Sequence, residues 1–477
     1  MSNKKARLRI LLLNPPLQYL HTTTFMLPNI APVGLLSLAG VAEKRGCDIR
    51  ALDSALAPHF SNTALKEATA FNPDIIGVSV HFPPDALRTW EMVGELREAL
   101  PKSIIIAGGP IPTYIPETFL HSGCDCVVVG EGEESFAELI SVISEGGREF
   151  SQVRGLCLLD DKGNLLRTAP REPINDLDSL PFLPFRLLPP YPALSRAGRA
   201  SAMETLRGCP FACEFCSTPS FWGRVRYFSN ERILAQLDIF REQRITEVFF
   251  VDDIFALHPE KYIALLEEII RRDYRMAFAG CLRADYAVRY PELVSLMAKA
   301  GFYLLNVGFE EYNDDALAAI GKRTSREVNL FASKILRKNG IVVLGSHIYG
   351  APGESEEELS DSVKTGIKNS DIFRMSIYTP HLGSPLYERL KRTGVYFNGG
   401  LERQSYWHYN IEDDKDGWKM QRRFLVEQLR YYFSLRTMAR GAGLEGKIKG
   451  RLVRRAYYSA GMFAVFAALR GLGIKVL

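Results

Sequence analysis

Hydrophobic and polar positions alternate regularly over the first third of the chain. Short apolar runs predict buried strands at residues 8–13, 48–52, 75–80, 103–107 and 126–129. Between these runs, apolar residues recur at helical spacing in residues 33–45, 62–70, 85–100 and 133–144. Strands that alternate with helices form a parallel sheet covered on both faces, so we predict a doubly wound α/β domain over residues 1–148. Its ligands are expected at the carboxyl edge of the sheet.

Residues 149–198 have a different pattern. An apolar run at residues 156–159 is followed by Asp161-Lys162-Gly163-Asn164, which is typical of a hairpin turn. Prolines then cluster between residues 180 and 190. We therefore interpret residues 149–198 as a linker with some β structure.

A second alternation of strands and helices occupies residues 199–392. Its six predicted strands lie at residues 202–206, 247–251, 276–282, 303–309, 341–348 and 371–378. Segments with helical spacing separate them, such as residues 231–243 and 259–271. Six consecutive strand–helix units predict a partial (β/α)6 barrel, with catalytic residues at the carboxyl ends of its strands.

The remaining residues, 393–477, are predicted to form a helical C-terminal extension. Residues 447–455 are basic, and residues 456–469 carry no charge but contain four aromatic side chains, those of Tyr457, Tyr458, Phe463 and Phe466. A basic stretch followed by an aromatic-rich helix is typical of a peripheral contact with a membrane surface, and this stretch is too short to span the bilayer. The alternative is a terminal helix that packs on the barrel.

Composition narrows the class of protein. Hydrophobic residues make up 47% and charged residues 24% of the chain, as in ordinary globular proteins. The net charge of +4 is too small to indicate nucleic-acid binding, so no nucleic acid partner is expected. Eight cysteines in 477 residues are not a disulfide framework and fit a reducing compartment. We expect a cytoplasmic protein, with a peripheral position at the inner membrane surface as the open alternative.

Three cysteines lie close together directly after the first predicted barrel strand. Cys209, Cys213 and Cys216 have the spacing C-x3-C-x2-C. A 4Fe–4S cluster usually takes four thiolates, so a loop with three leaves one iron open to an exchangeable ligand. The alternatives are a structural zinc knuckle or three unrelated core cysteines. Zinc would need a fourth ligand nearby, and neither His258 nor Cys281 has knuckle spacing.

The spacing of these cysteines and their Gly-Cys-Pro-Phe context resemble the radical S-adenosylmethionine (SAM) superfamily. In that family the open iron chelates the amino and carboxylate groups of SAM. The resemblance implies that Asp253, after the second strand, accepts hydrogen bonds from the SAM ammonium group, and that Glu310, at the end of the fourth, binds the ribose hydroxyls. The segment with Ile348 and Gly350, at the end of the fifth strand, resembles the part of the family that contacts adenine.

The N-terminal domain resembles the flavodoxin-like cobalamin-binding domains that are fused to radical SAM barrels. The resemblance implies that Ser79, His81, Gly108 and Gly109 contact cobalamin, with glycines letting the macrocycle or its tail approach the backbone. The D-x-H-x-x-G motif of such domains is absent, and residues 32–37, where it would fall, contain no histidine. The lower face of cobalt is therefore expected to lack this ligand. The alternative is a degenerate domain that binds nothing.

The two resemblances together imply a cobalamin-dependent radical SAM enzyme with a 4Fe–4S cluster, SAM and cobalamin as cofactors. Such an enzyme forms a 5′-deoxyadenosyl radical, abstracts hydrogen from an unactivated carbon, and transfers a methyl group from methylcobalamin. The expected partners are a small-molecule or lipid-like substrate and an electron donor such as flavodoxin or ferredoxin. The alternatives are a cobalamin-dependent cyclase or oxidoreductase without methyl transfer, a tRNA methylthiotransferase, and an iron–sulfur sensor.

Overall fold

A computed structural model of the protein describes residues 7–15, 30–56, 60–195, 198–393, 423–424 and 426–427. The chain divides into two compact units. The first contains the described residues within 1–18, 31–190 and 221–228, and the second contains those within 19–30, 191–220 and 229–477. The predicted domain boundaries at residues 148, 198 and 392 stay predictions.

The first unit is built on one seven-stranded sheet with the order β2-β1-β3-β4-β5-β6-β7. Its strands are β1 (Arg9–Asn14), β2 (Asp48–Asp53), β3 (Ile75–Ser79), β4 (Ile104–Gly108), β5 (Cys126–Val128), β6 (Leu156–Leu159) and β7 (Leu165–Arg167). Its helices are α1 (Val33–Lys44), α2 (Phe60–Phe71), α3 (Pro83–Ala99), α4 (Pro110–Tyr114), α5 (Pro116–His121) and α6 (Glu133–Ser144). The first five strands are parallel and follow the flavodoxin-like order 2-1-3-4-5, so the predicted doubly wound fold is confirmed.

Burial explains why the apolar runs form the central strands. Ile10, Leu11, Leu12 and Leu13 of β1 are all 0% exposed, as expected for a strand that has neighbours on both sides and helices on both faces. The hairpin prediction is also confirmed, because β6 pairs antiparallel with β7 and the Asp160 carboxylate accepts the backbone N–H groups of Lys162 and Asn164 in the turn between them. This hairpin is thus the edge of the first sheet, inside the region that we interpreted as a linker.

The second unit contains a seven-stranded sheet with the order β16-β15-β14-β13-β12-β9-β8. In chain order the strands after β7 are β8 (Tyr191–Pro192), β9 (Arg199–Met203), β10 (Leu206–Arg207), β11 (Arg226–Tyr227), β12 (Ile245–Phe250), β13 (Ala277–Arg283), β14 (Phe302–Glu310), β15 (Val342–Tyr349) and β16 (Ile372–Ile377). All neighbours from β9 to β16 in this sheet are parallel, and β8 is an antiparallel edge. The predicted partial (β/α)6 barrel is confirmed.

Helices follow the barrel strands as the pattern predicted. They are α7 (Thr218–Trp222), α8 (Asn230–Glu242), α9 (Pro259–Arg272), α10 (Ala284–Arg289), α11 (Pro291–Ala300), α12 (Asp314–Ala319), α13 (Arg326–Lys338), α14 (Glu356–Asn369) and α15 (Pro385–Thr393). Serine side chains cap α8, α13 and α14 at Ser229, Ser325 and Ser355. Each accepts an N–H of the first turn that has no partner within its helix, which fixes where these helices begin.

The first barrel strand begins earlier than we predicted. We placed it at residues 202–206, whereas β9 is Arg199–Met203 and ends before Glu204. The reason is Asp252, whose buried carboxylate accepts the backbone N–H groups of Thr205 and Leu206 at 2.6 and 3.1 Å. These amides therefore leave the strand ladder just before the cysteine loop.

The predicted C-terminal extension lies almost wholly outside the described residues, including the basic stretch 447–455 and the aromatic stretch 456–469. The short described helical piece places Phe424, which is 0% exposed, in a cluster with Tyr349, Val363 and Phe373. Among the described helices, none combines the length and the apolar character that a membrane crossing requires.

Aromatic side chains dominate the core of the barrel unit. Phe250 is 0% exposed and stacks against Phe302 at a centroid distance of 5.7 Å, and it also packs against Phe255 and Phe278. We expect Phe250→Ala to lower the free energy of unfolding by about 3–5 kcal/mol, because it removes a ring and leaves a cavity that the stiff strands cannot close.

Urea denaturation followed by circular dichroism measures this loss. Phe331→Ala is the matched control, because Phe331 on α13 is 47% exposed and its truncation should change the unfolding free energy by less than about 0.5 kcal/mol. Equal losses in both variants would show that the aromatic cluster does not stabilise the barrel.

Candidate active site

The three cysteines lie on the loop between β10 and α7. Cys213 is buried, and Cys209 and Cys216 are half-buried. The loop turns tightly, since the Cys216 N–H donates to the Cys213 carbonyl at 3.1 Å. It is anchored through Glu214, whose N–H donates to the Ile320 carbonyl at 3.1 Å and whose carbonyl accepts the Leu386 N–H at 2.8 Å. The loop thus has a fixed conformation at the barrel edge.

The thiols are close enough to influence one another's ionisation. Burial and, to a smaller extent, the charges of Asp253, Cys216 and Cys213 together raise the pKa of Cys209 to about 11. Backbone N–H groups oppose this rise, from Phe211 at Cys209 and from Thr218 at Cys216. Amide donors aimed at sulfur stabilise a thiolate, which is the form that binds metals.

The donor set suits a cluster better than a single ion. Across the described parts of the chain, no three His, Cys, Asp or Glu side chains converge at the spacing of a single-ion site. A tetrahedral zinc ion draws its ligands to within about 2.0–2.3 Å of one point, whereas each thiolate of a 4Fe–4S cluster binds a different iron. Three thiols on one tight loop, each able to bind a different iron, fit a cluster that keeps one iron open.

Asp253 follows β12 and faces the cysteine loop. Its carboxylate accepts a hydrogen bond from the Thr218 hydroxyl at 3.0 Å, and Thr218 also donates to Cys216. Solvent still reaches Asp253, yet desolvation by the surrounding protein raises the pKa of its carboxyl to about 6. The structure therefore places an ionisable carboxyl next to two of the three cysteines.

Glu310 ends β14 in a strained conformation. Its φ of 63° is in the left-handed region that non-glycine residues rarely adopt, and the register with β15 shifts between Gly308 and Glu310. Lys322 donates to Glu310 Oε1 at 2.7 Å, and both side chains are nearly buried, with 8% of the lysine and 12% of the glutamate exposed. Both charges also act on Cys213, so Glu310 belongs to the same site.

Ile348 and Gly350 lie beside the same loop. Ile348, on β15, is 7% exposed and packs in an apolar cluster that includes Ala316, Ile320 and Tyr378. Phe215, between the second and third cysteines, packs against this cluster. Gly350 has a φ of 80°, which suits glycine at the turn out of β15.

A buried acid, Glu311, faces a half-buried one, Glu354, behind this edge. Glu311 is 2% exposed, and its carboxylate accepts the Tyr312 N–H at 2.6 Å, while Glu354 accepts the Ala351 N–H at 3.1 Å. The second oxygen of Glu354, Oε1, is buried, and no N–H or O–H group of the described residues donates to it. A hydrogen bond to Glu311 through a proton that the two carboxyls share would satisfy this oxygen. Burial and the Glu311 charge raise the pKa of Glu354 to about 8. The pair therefore fastens the ends of β14 and β15 together when it holds one proton.

The four residues predicted to contact cobalamin meet at the carboxyl edge of the first sheet. Ser79 ends β3 opposite Gly108 of β4, and the Ser79 hydroxyl lies 3.2 Å from Nε2 of the exposed His81. Gly109 has a φ of 97°, and a Cβ there would lie 2.8 Å from the Val80 carbonyl oxygen. Only glycine fits this close approach between the ends of β3 and β4.

Some residues of these sites were not identified in the sequence. Lys322, Thr218 and Thr113 are examples, and Thr113 accepts the Gly130 N–H at 3.0 Å and donates to the Gly109 carbonyl at 2.9 Å. Thr218 carries a detectable signal, since it follows Cys216 by two residues and precedes a proline. Lys322 carries none, because it follows a helix twelve residues after Glu310 and resembles an ordinary surface lysine.

Two protein-family models match the chain. The Radical SAM superfamily model matches residues 203–366, which include the cysteine loop, and the B12 binding domain model matches residues 27–140, which include the glycine edge of the first sheet.

Individual relatives agree with both models. An uncharacterized methyltransferase of Pyrococcus horikoshii is 30% identical over 363 residues, covering 75% of this chain and 78% of that protein. The anaerobic magnesium-protoporphyrin IX monomethyl ester cyclase of Rubrivivax gelatinosus is 27% identical over 372 residues, covering 76% of this chain and 66% of the cyclase. Among solved structures, the chain has the same fold as the radical S-adenosylmethionine methyltransferase TsrM from Kitasatospora setae, which was solved with cobalamin and a 4Fe–4S cluster bound. The TM-score is 0.72 at 18% sequence identity, and the match covers 97% of this chain and 100% of TsrM.

The acid pair predicts a pH-dependent stability. A Glu354 carboxyl with a pKa of about 8 keeps in the folded state a proton that the unfolded chain releases near the ordinary value of 4.5. The folded state then binds more protons than the unfolded state between these values, so stability falls as pH rises through this window. We expect Glu354→Gln, which cannot ionise but can donate to Glu311, to lose less thermal stability from about pH 6 to about pH 9 than the unmodified protein.

Melting temperatures across this pH range provide the measurement. Glu357→Gln is the control, because Glu357 is an exposed glutamate of α14 three residues along the chain. Its melting curve should follow that of the unmodified protein at each pH. A Glu354→Gln variant with the same pH dependence would mean that the pair does not share a proton.

Proposed function

Because the chain belongs to the radical SAM superfamily and carries a B12-binding domain, we propose that it is a cobalamin-dependent radical SAM methyltransferase acting on an unactivated carbon. The observation that carries this proposal is a three-cysteine loop on the barrel unit together with a glycine-lined carboxyl edge on the flavodoxin-like unit. One chain thus offers a site for each of two cofactors. When bound, the 4Fe–4S cluster, SAM and cobalamin supply the one-electron chemistry and the transferable methyl group.

Within the barrel unit, each proposed contact uses a group already described. Cys209, Cys213 and Cys216 would hold the cluster, with amide donors stabilising the thiolates. Asp253, fixed by Thr218, would accept a hydrogen bond from the SAM ammonium group, because a carboxylate suits a cationic donor. Lys322 donates to Oε1 of Glu310, and the carboxylate held in this way would bind the ribose hydroxyl groups of SAM.

The adenine of SAM would lie against the end of β15. Ile348 offers an apolar side chain at the rim of the cluster that also holds Phe215, and Gly350 leaves backbone accessible beside it. An aromatic base suits such a surface, because its faces are apolar and its edge needs backbone hydrogen bonds.

Cobalamin would lie on the edge formed by Ser79, His81, Gly108 and Gly109. The Ser79 hydroxyl is placed to hydrogen-bond a nucleotide tail, and the glycines let a ligand approach the backbone. Surrounding protein lowers the pKa of His81, although solvent reaches its ring, so the imidazole is neutral near pH 7. A neutral imidazole can accept a hydrogen bond or bind a metal. We propose no lower axial ligand from the D-x-H-x-x-G position, because residues 32–37 contain no histidine.

The substrate is proposed to be a small molecule or a lipid-like molecule, and the electron donor a flavodoxin or ferredoxin. A cyclase or oxidoreductase without methyl transfer is the second candidate, and the 27% identical cyclase of Rubrivivax gelatinosus favours it.

A tRNA methylthiotransferase would need a second cysteine-ligated cluster. Cys124 and Cys126 are poor ligands for one, because burial raises the pKa of the Cys124 thiol to about 12 and Cys126 is 0% exposed.

Product analysis tests the function. Anaerobically reconstituted protein should take up corrinoid and cleave SAM, and methyl transfer should yield S-adenosylhomocysteine with a methylated product. Deoxyadenosine as the one SAM-derived product would instead identify the cyclase or oxidoreductase.

We expect Cys213→Ala to lose SAM cleavage but to keep corrinoid binding, because the cysteine and the glycine edge belong to different units. The visible spectrum of the bound corrinoid measures this binding. Cys157→Ala, on β6 of the first sheet, is the matched cysteine control. The methyltransferase proposal is wrong if the unmodified protein binds no corrinoid.

We also propose that residues 447–477 contact anionic membrane surfaces. Each Lys or Arg near such a surface contributes about 1 kcal/mol, so replacing Arg454 and Arg455 by Gln should weaken vesicle binding by about 2 kcal/mol, roughly 30-fold. Co-sedimentation with phosphatidylserine vesicles measures this change in the full chain. Lys391 and Arg392, exposed on α15, provide the matched double substitution. No binding by the unmodified protein would refute this membrane contact.

A further inference from the structure

Arg283 lies at the end of β13 and is buried against the cysteine loop. Only 5% of its side chain is exposed, although arginine is rarely buried. Its guanidinium lies over the Phe211 ring, with 3.7 Å between the guanidinium carbon and the ring centroid. Phe211 stands between the first two cysteines of the loop. This stacking places a cation on the segment that carries two proposed cluster ligands.

The position of the guanidinium is fixed from the opposite side. Nε donates to Asp285 Oδ1 at 2.8 Å, and Nη2 lies 3.5 Å from the carbonyl oxygen of Arg323. Asp285 is in the first turn of α10, which begins directly after Arg283. The side chain thus has little conformational freedom, because N–H groups along one edge of the planar guanidinium point at Asp285 and Arg323 while its flat face covers the Phe211 ring.

Arg283 influences two of the three cysteines. It is close enough to Cys213 to oppose, through its charge and hydrogen bonding, the effect of burial on that thiol. It also packs on Phe211, whose backbone N–H donates to the Cys209 sulfur. One side chain therefore acts directly on one sulfur and holds the amide that serves another.

From this geometry we propose that Arg283 is a positioning residue that holds the cysteine loop in its ligating conformation and raises the reduction potential of the cluster. The proposal rests on the proposed function, since it presupposes the cluster. A fixed cation beside a cluster favours the reduced state, which carries one more negative charge, and hydrogen bonds toward sulfur act in the same direction. Stacking on Phe211 limits the conformations of the loop before iron binds.

The test is an EPR-monitored redox titration of the reconstituted full chain, with iron and sulfide content measured alongside. Arg283→Gln should lower the equilibrium constant for cluster reduction at least tenfold, which is about 59 mV for a one-electron couple, and should reduce cluster occupancy. Arg283→Lys keeps the charge but loses the flat stacking face. Its potential should lie nearer that of the unmodified protein, with occupancy reduced.

Two further variants separate charge from packing. Phe211→Leu keeps the arginine and removes the ring, so we expect lower cluster occupancy with a nearly unchanged potential. Arg275→Gln is the matched control, because the Arg275 side chain is 83% exposed, and both readouts should equal those of the unmodified protein.

The outcomes distinguish this proposal from the proposed function. An unmodified protein that binds no iron–sulfur cluster refutes the function itself. A normal cluster in the unmodified protein, together with unchanged potential and occupancy in Arg283→Gln, overturns the role of Arg283 alone. Should circular dichroism show that Arg283→Gln does not fold, Phe211→Leu and Arg283→Lys decide, and full occupancy in both overturns the proposal.

Discussion

Parallel strands end at a common edge of their sheet, and this constraint places the residues of both proposed sites. In the barrel unit, Asp253 follows β12, Arg283 ends β13 and Glu310 ends β14, so side chains far apart in the sequence surround the cysteine loop. Thr218 and Asp253 are 35 residues apart and yet form a hydrogen bond of 3.0 Å. In the first unit the same constraint brings Ser79 opposite Gly108. A fold that supplies such an edge can change its chemistry through the residues at the strand ends without rebuilding its core.

The charges at the barrel edge are buried in pairs. Lys322 holds Glu310, Asp285 holds Arg283, and Glu204 binds Arg207 next to the first cysteine. The free energy needed to remove two charges from water is nearly as large as the free energy gained from their attraction, so such pairs are weak evidence for stability. The pairs do fix the orientation of their side chains, because a side chain that turned away from its partner would leave a buried charge without a partner and without water. The pairs therefore account for a precise site rather than for a stable barrel, whereas burial of apolar groups such as the rings around Phe250 is favourable without such a desolvation cost.

Local patterns were sufficient to predict the fold and the cysteine loop. The apolar runs of β1 and β12 and the spacing of the cysteines are properties of short segments, so they are visible in the sequence. Departures came from long-range contacts: Asp252 ends β9 early by accepting the amides of Thr205 and Leu206, which lie 47 and 46 residues before it. Lys322 and Arg283 were missed for the same reason. Their roles depend on which partner the sheet brings to them, and a single sequence does not show such pairings.

Backbone strain occurs at one residue of the proposed barrel site, as it does at positions outside it such as Asn72 and Arg244. A non-glycine residue in the left-handed region costs about 1–3 kcal/mol, and Glu310 adopts this conformation at the end of β14. A glycine at position 310 would remove the strain but would also remove the carboxylate. That the chain has glutamate here favours a functional over a structural role for this position. Gly109 presents the opposite case, since its left-handed conformation requires no Cβ and any side chain would collide with Val80. At one edge a strained backbone carries a side chain, and at the other the packing of the backbone leaves no room for one.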